Sequence, residues 1–591
     1  MKKLARTLSV FILAALLGLP ALSAAEMQVA VIRDRVIGDS LTAAYTEESG
    51  TEQSVMVFIK DIDHGAVERG LPETQPAALT LSSAAEEYEN QAEIEAVQAD
   101  IMARRAASRE AYLAQNTAFA EKYLDGKVEY ISKYSPVIIA SLDSVETNQL
   151  ALNGAVESIE LYDMELAEEE PLAAPLAETA STTAGIDYLG MINADDVHEN
   201  GYTGQGIKIG ILETELPFYT ERDALGLTAN HCYNIATADA SVNYLYAGHA
   251  SFVAYTAKSV APDAQLYAAH ATSGYIPAIE WLIDQGVNVI NISMSISYED
   301  ENGNAVTNIY DSNTAWFDHI ALNHLVSIVF SVGNNGVSAP GEVFVGNLSY
   351  NAIVVGAVDV NGAIYSKSSY THITFAEGSR PDISAPGVNI QPEGMSYAVD
   401  GTSLAAPMVT GAVALLLQQK PNLTHYPDTI KAILAANVST SFNRYVTWPL
   451  NSTNGYERYG AGILDCLNVY NAMLSTQYNN DGGFNANTSG ARESFTIDLE
   501  AGKPVRIVVV ALRDAIYNHS TEVTTSTTAP RVNLAVYRSG VYHAQTASSY
   551  LGNIKILEFT PSTTGTYSIF IDNLRNISTE TWYSVAWCQI D

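Results

Sequence analysis

The sequence predicts an α/β protein in three parts. A central domain with a mostly parallel sheet follows an α+β unit and precedes an all-β sandwich. Three observations carry this. From Ile186 to about Ser475, apolar strand-like runs alternate with helical stretches. Residues 26–165 show a separate strand–helix–strand–helix–strand order. From about Asn480 the composition turns to Ser, Thr and Asn, with short alternating strands. The chain has 591 residues and is 47% hydrophobic, enough for several large cores.

Residues 1–25 read as an export signal. Lys2, Lys3 and Arg6 form a basic start, Leu8 to Leu19 an apolar stretch, and Ser23-Ala24-Ala25 a small-residue cleavage site. The apolar stretch is too short to span a bilayer, so the expectation is a secreted or cell-envelope protein with a bacterial-type signal and no membrane span. In residues 26–165, Val55–Ile59 reads as a strand. A helix of about 40 residues follows, long by the usual range. Ser83 with Glu86 opens it as a capping box, and Gly126 closes it. Its apolar face is Ile94, Val97, Ile101, Tyr112, Leu113, Phe119 and Tyr123. Strands are expected at 128–131, 137–140 and 155–162, with a short helix near 146–152. Residues 166–185 form an acidic, Ala- and Pro-rich linker suited to cleavage.

The central domain is placed at 186–475 and the sandwich at 480–591. Sandwich strands are expected at Phe495–Leu499, Val505–Leu512, Val532–Tyr537, Ile554–Phe559, Tyr567–Ile571 and Trp582–Trp587. The sandwich reads as an accessory module that binds substrate or glycans, or caps the central domain. Net charge is −36, from 66 acidic and 30 basic residues, which argues against nucleic acid or an anionic membrane as partner. Carboxylates suit a structural calcium ion, but no Asp-x-Asp-x-Asp-Gly loop locates one. Cys232, Cys466 and Cys588 are far apart and odd in number, so neither a disulfide framework nor a zinc site follows.

The chemistry centres on Asp400-Gly401-Thr402-Ser403-Leu404-Ala405-Ala406-Pro407. Ser403 sits between a glycine turn and an apolar run through Leu417, which ends at Lys420-Pro421. It therefore lies at the start of a buried helix, where backbone N–H groups and the helix dipole face a developing oxyanion. Pro407 is expected in the first helical turn. A serine nucleophile needs a base, and the base an orienting acid. Gly248-His249-Ala250-Ser251-Phe252 opens an apolar helix and offers the base. Gly204 to Leu212 is a strand entered from a glycine turn and ends Glu213-Thr214-Glu215. Its glycines precede the strand, which excludes a dinucleotide fingerprint.

Gly401-Thr402-Ser403-Leu404-Ala405-Ala406-Pro407 resembles the nucleophile motif of the subtilisin-like serine proteases. Gly248 to Ala254, with Ala261-Pro262-Asp263-Ala264 beyond, resembles the histidine motif of that family, although Ala250, Ser251 and Phe252 depart from it. Ser331-Val332-Gly333-Asn334-Asn335-Gly336 resembles its Ala-Gly-Asn-x-Gly, whose Asn donates to the oxyanion. Asp382 to Val388 and Tyr459 to Asp465 resemble further family segments. The resemblance implies a serine endopeptidase with Ser403 as nucleophile, His249 as base and Asn334 in the oxyanion hole, Asn335 being out of register. The family's orienting Asp position holds Glu213, one C–C bond longer, so either its side chain folds back or the backbone shifts. Glu215 and Asp223 remain rival acids. On this reading Glu213→Gln cripples turnover and Glu213→Asp does not.

His249 follows Glu213 by 36 residues, Asn334 follows His249 by 85, and Ser403 follows Asn334 by 69, spacings close to those of the family. Further implied are a substrate strand along Ile292-Ser293-Met294-Ser295, with Ser331 and Gly333 opposite and an apolar P1 pocket. Residues 26–165 resemble the inhibitory propeptide, the alternative being an independent α+β adaptor domain. No metal or organic cofactor takes part in the chemistry, and the partners are polypeptide substrates and the chain's own propeptide. Sedolisins carry a glutamate in place of the histidine, and His249 sets this chain apart from them. The rival function is a pseudoprotease that binds peptides in the same cleft; an ester or amide hydrolase is a more distant third.

Overall fold

The computed structural model describes residues 36–38, 41–42, 44–45, 50–61, 84–162, 165–167, 185–233, 248–271, 274–297, 307–371, 380–439, 458–484, 488, 490–512, 532–545, 553–574 and 581–589. The export signal, Ser83 of the expected capping box and most of the linker lie outside the described residues.

The N-terminal unit comprises β1 (Gln53–Ile59), α1 (Ala84–Tyr123), β2 (Val128–Ile131), β3 (Val137–Leu142), α2 (Ser144–Leu150) and β4 (Val156–Leu161). Its four strands form an antiparallel sheet in the order β2-β3-β1-β4. The helix α1 is 40 residues long, and Gly126 beyond it has φ +74, the left-handed conformation expected of a C-cap. Of its expected apolar face, Ile94, Val97, Ile101, Tyr112 and Phe119 are buried, but Leu113 is half-buried and Tyr123 is 44% exposed. The reason is that α1 serves two cores. Phe119 and Ala120 pack on the unit's own sheet, whereas Ile94 joins the central domain and Val97 and Ile101 meet Leu325. The extra helical length is thus spent on the next domain.

After β5 (Glu165–Ala167), the central domain supplies β6 (Lys208–Glu213), β7 (Cys232–Tyr233), α3 (His249–Val260), β8 (Gln265–His270), α4 (Tyr275–Asp284), β9 (Val289–Ile292), β10 (Ser295–Ser297), α5 (Ser312–Asn323), β11 (Ser327–Ser331), β12 (Ile353–Val358), β13 (Ile383–Pro386), α6 (Thr402–Gln419) and α7 (Pro427–Ala436). Seven strands form one parallel sheet in the order β13-β12-β11-β9-β6-β8-β7. Both faces are covered, which is why β9, β11 and β12 are apolar apart from Asn291, Ser327 and Ser331 and are wholly buried. One face packs on α3, α6 and α7. The other packs on α4 and α5, and beyond these helices lies the N-terminal sheet, with Met56, Phe58, Val137 and Ile139 in the same core. The sequence order reverses about β6, between β8 and β9, so the carboxyl ends of β6 and β9 frame the crevice where open α/β sheets place their sites.

Two buried arginines lock the flanking units to this domain. Arg105 of α1, 1% exposed, donates to the carbonyls of Ile283 (3.4 Å), Val287 (3.0 Å), His324 (2.9 Å) and Leu325 (3.4 Å), at or just past the ends of α4 and α5. Helix ends leave carbonyls without intrahelical partners, and one guanidinium fork takes four at once. The second arginine belongs to the C-terminal unit. There β14 (Tyr478–Phe484), β15 (Arg492–Leu499), β16 (Val505–Ala511), β17 (Val532–Arg538), β18 (Val541–Gln545), β19 (Ile554–Phe559), β20 (Gly565–Asn573) and β21 (Thr581–Gln589) form two four-stranded sheets, β14-β21-β16-β19 and β15-β20-β17-β18. Strands β14 and β18 carry polar or glycine-rich sequence and were not expected. The first sheet lies on α7, where Arg506 donates to Ala435 O (3.3 Å) and Ala461 O (2.9 Å) and pairs with Glu558. No described helix is long and apolar enough to cross a membrane.

Candidate active site

Glu213 is the last residue of β6 and is 1% exposed. His249 is the first residue of α3 and is 8% exposed. The imidazole Nδ1–H donates to Glu213 Oε2 at 3.1 Å. A proton held on Nδ1 leaves the lone pair on Nε2, the atom that can take a proton from a hydroxyl. The second oxygen, Glu213 Oε1, is buried with no hydrogen-bond partner among the described residues. Beside Glu213 in the sheet stands His270 of β8, whose imidazole burial pushes below its ordinary range, favouring the neutral form. Of the rival acids, Asp223 is exposed in a turn. Glu215 turns its carboxylate to the start of α3, where Oε1 accepts from Gly248 N at 2.9 Å and Ala250 N at 3.3 Å.

Ser403 is the second residue of α6 and is 2% exposed. Asn334 is half-buried in the turn after β11, and its Oδ1 accepts from Thr402 N (3.0 Å) and Thr402 Oγ1 (3.2 Å), which orients the amide beside the serine's turn. Gly333 before it has φ +103, and a Cβ there would come within 3.1 Å of Ser369 Oγ, so both space and conformation call for glycine. Ser369 fixes this turn, donating from N to Gly333 O (2.8 Å) and accepting from Asn335 N at Oγ (2.9 Å). Helices α3 and α6 approach closely because residue 411 has no side chain. A Cβ on Gly411 would stand 2.5 Å from Val260 Cβ.

Pro407 lies deeper than expected, at the sixth residue of α6, because the helix starts at Thr402. Its missing N–H deprives the carbonyl four residues back, that of Ser403, of a helical partner. Ser293 Oγ fills the gap and donates to Ser403 O at 3.0 Å. Asn291 Nδ2 in turn donates to Ser293 Oγ (2.9 Å), and Thr410 Oγ1 donates to Asn291 Oδ1 (3.0 Å). Sequence reading missed Asn291 and Thr410. Their signals were a polar residue in the apolar run Val289–Ile292 and a threonine seven residues after Ser403, on the same helical face. Ser293→Ala, made in a Ser403→Ala chain to prevent self-digestion, should lower unfolding stability by about 1–3 kcal/mol, the cost of an unsatisfied buried acceptor. An unchanged denaturant midpoint would show that the carbonyl finds another donor.

The remaining expected residues also gather here. Ser293 and Ser331 are fully buried, Met294 and Ser295 are 1% exposed, and Gly333 is buried. Ser295 Oγ has no hydrogen-bond partner among the described residues. The strand edge expected at 292–295 is occupied two to three residues later: β10 pairs antiparallel with β5, Ser295 opposite Ala167, Ile296 opposite Leu166 and Ser297 opposite Glu165. Among the described residues no group of three or more His, Cys, Asp or Glu could hold a metal ion.

The family model for the subtilase family, Peptidase S8, matches residues 204–462. An alkaline protease of Alkalihalobacillus alcalophilus is 28% identical over 388 residues, 58% of this chain and 90% of the relative. Subtilisin Savinase of Lederbergia lenta is 30% identical over 299 residues, 46% of this chain and 94% of the relative. Subtilisin E of Bacillus subtilis is 27% identical over 321 residues, 51% of this chain and 75% of the relative. With its parallel sheet and a serine at the head of the helix that crosses it, the chain belongs to the subtilase family of serine peptidases.

Proposed function

We propose that the chain is an exported serine endopeptidase that cuts off its own N-terminal unit and then hydrolyses polypeptides through an acyl-enzyme on Ser403. The observation that carries the assignment is the buried His249–Glu213 hydrogen bond beside the serine-bearing helix. His249 Nε2 takes the proton of Ser403 Oγ as the oxygen attacks the scissile carbonyl. Glu213 holds the imidazole in that tautomer and balances the imidazolium. The oxyanion meets the Asn334 amide and the N-terminal turn of α6, which carries the positive end of the helix dipole. His249 then returns the proton to the leaving amine, and water repeats the cycle on the ester. No cofactor enters these steps.

Self-cleavage is supported by β5, which lies against β10 as an added strand, the manner in which an extended peptide binds a sheet edge. Its last two residues, Leu166 and Ala167, are the first of the acidic linker. The N-terminal unit, docked over α4 and α5, serves as the intramolecular inhibitor, and the β-sandwich is an accessory module. Expression of the native and Ser403→Ala chains should give a native protein that has lost its N-terminal unit near 165–185 and a mutant that has not, read by intact mass. The second reading, a peptide-binding subtilase with little turnover, rests on Glu213 standing at the family's aspartate position. It takes over if both chains keep the unit and a fluorophosphonate does not label native Ser403.

A further inference from the structure

Glu215 lies two residues beyond the end of β6, yet its carboxylate reaches the helix that bears His249. Oε1 accepts from Gly248 N at 2.9 Å and from Ala250 N at 3.3 Å, the backbone amides on either side of the histidine. The helix has no side-chain cap of its own, since Gly248 stands at the N-cap with φ +130. A carboxylate at this end is favoured by the helix dipole and by charge-assisted hydrogen bonds. The segment after Glu215 continues along the same helix. Phe218 N donates to Ser251 Oγ at 3.0 Å, and Tyr255 Oη donates to Glu221 Oε2 at 2.8 Å. A Cβ on Gly248 would come within 3.3 Å of Phe218 Cε2, so this glycine also admits the segment.

We propose that Glu215 is a positioning residue, which holds the start of α3 where the imidazole of His249 meets a glutamate at position 213. The proposal rests on the assignment of Glu213, His249 and Ser403 made above. Two glutamates leave the same strand end. Glu213 reaches the side chain of His249, and Glu215 reaches the backbone on both sides of it. The strand-to-helix spacing is therefore spanned twice by side chains of equal length. This accounts for a longer acid in the buried site: the helix is anchored at a glutamate's reach, not at an aspartate's. Glu215 acts through the helix backbone and His249.

The test uses the full-length chain with two substitutions. Glu215→Ala removes the tether, and Glu215→Gln keeps an acceptor without the charge. The first readout is the downfield proton resonance of the His249 Nδ1–H, followed in a Ser403→Ala background. It should be present in the parent, lost in Glu215→Ala and restored in Glu215→Gln. The second readout is steady-state hydrolysis of a short peptide. Glu215→Ala should lower kcat by about 10²-fold with KM little changed, as for a small misplacement of a catalytic group. Glu215→Gln should recover most of it. Glu215→Leu, which fills the space without an acceptor, replaces the alanine variant if that chain does not fold. A parent that neither hydrolyses peptide nor labels at Ser403 would defeat the catalytic assignment, and the proton resonance would still decide the role of Glu215. Native kcat in Glu215→Ala, or a retained resonance, would overturn the proposal.

Discussion

Ser403→Ala is expected to lower kcat by about 2 × 10⁶-fold, the loss recorded in subtilisin, a member of this family, when its serine is removed. The reason is local. Ser403 is the hydroxyl at the head of α6, in a buried turn shared with Thr402 and Asn334. Alanine removes the attacking oxygen and leaves Asn334, the helix start and the binding edge in place. A residual rate of about 10³–10⁴ over water should therefore persist. Single-turnover assays with a chromogenic peptide measure both limits, on chains whose N-terminal unit an added protease has removed near 165–185, since the mutant does not remove its own. KM should move little, because the lost interaction exists only on the reaction path. A decrease of less than tenfold would place the nucleophile elsewhere.

Glu213→Gln is expected to cost about 10⁴-fold in kcat, the scale seen when the orienting acid of a catalytic triad becomes an amide. Glutamine keeps the shape but can donate to Nδ1, which reverses the tautomer, and it cannot balance an imidazolium. Expectation for Glu213→Asp now differs from that of the sequence. The His249–Glu213 bond is 3.1 Å long, and removing one C–C length of about 1.5 Å takes the carboxylate out of hydrogen-bond range unless β6 or α3 moves. Glu215 and Ser251 tie α3 to the segment following β6. The shorter acid should thus lose about 10²-fold or less, between wild type and glutamine. Equal activity of wild type, Gln and Asp chains would show that Glu213 orients nothing.

Much of the fold was legible because burial writes itself into local pattern. Parallel strands covered on both faces must be largely apolar, so β6, β9, β11 and β12 stand out as runs broken by few polar residues. The long helix α1 showed its period, and Gly126 its end. Less visible were β14 and β18, whose glycines and exposed residues lack the alternation of a half-buried strand. Tyr123 was read as apolar face, yet it is 44% exposed, while its neighbours Phe119, Ala120 and Leu124 take the places in the core of the sheet.

At the site, the sequence alone determined residue types and their order: a serine at a helix start, a histidine at another, an asparagine after a strand, and a glutamate at a strand end. These follow from near neighbours in the chain. Only the tertiary structure shows what each acid faces, because Glu213 and Glu215 are two residues apart and differ only across the crevice: an imidazole for one, two backbone amides for the other. It also decided the place of Ser293, whose hydroxyl answers a carbonyl freed by a proline 114 residues away. Such pairings depend on distances between elements far apart in the chain, and hydrophobic pattern records which face of an element is buried, not what it is buried against.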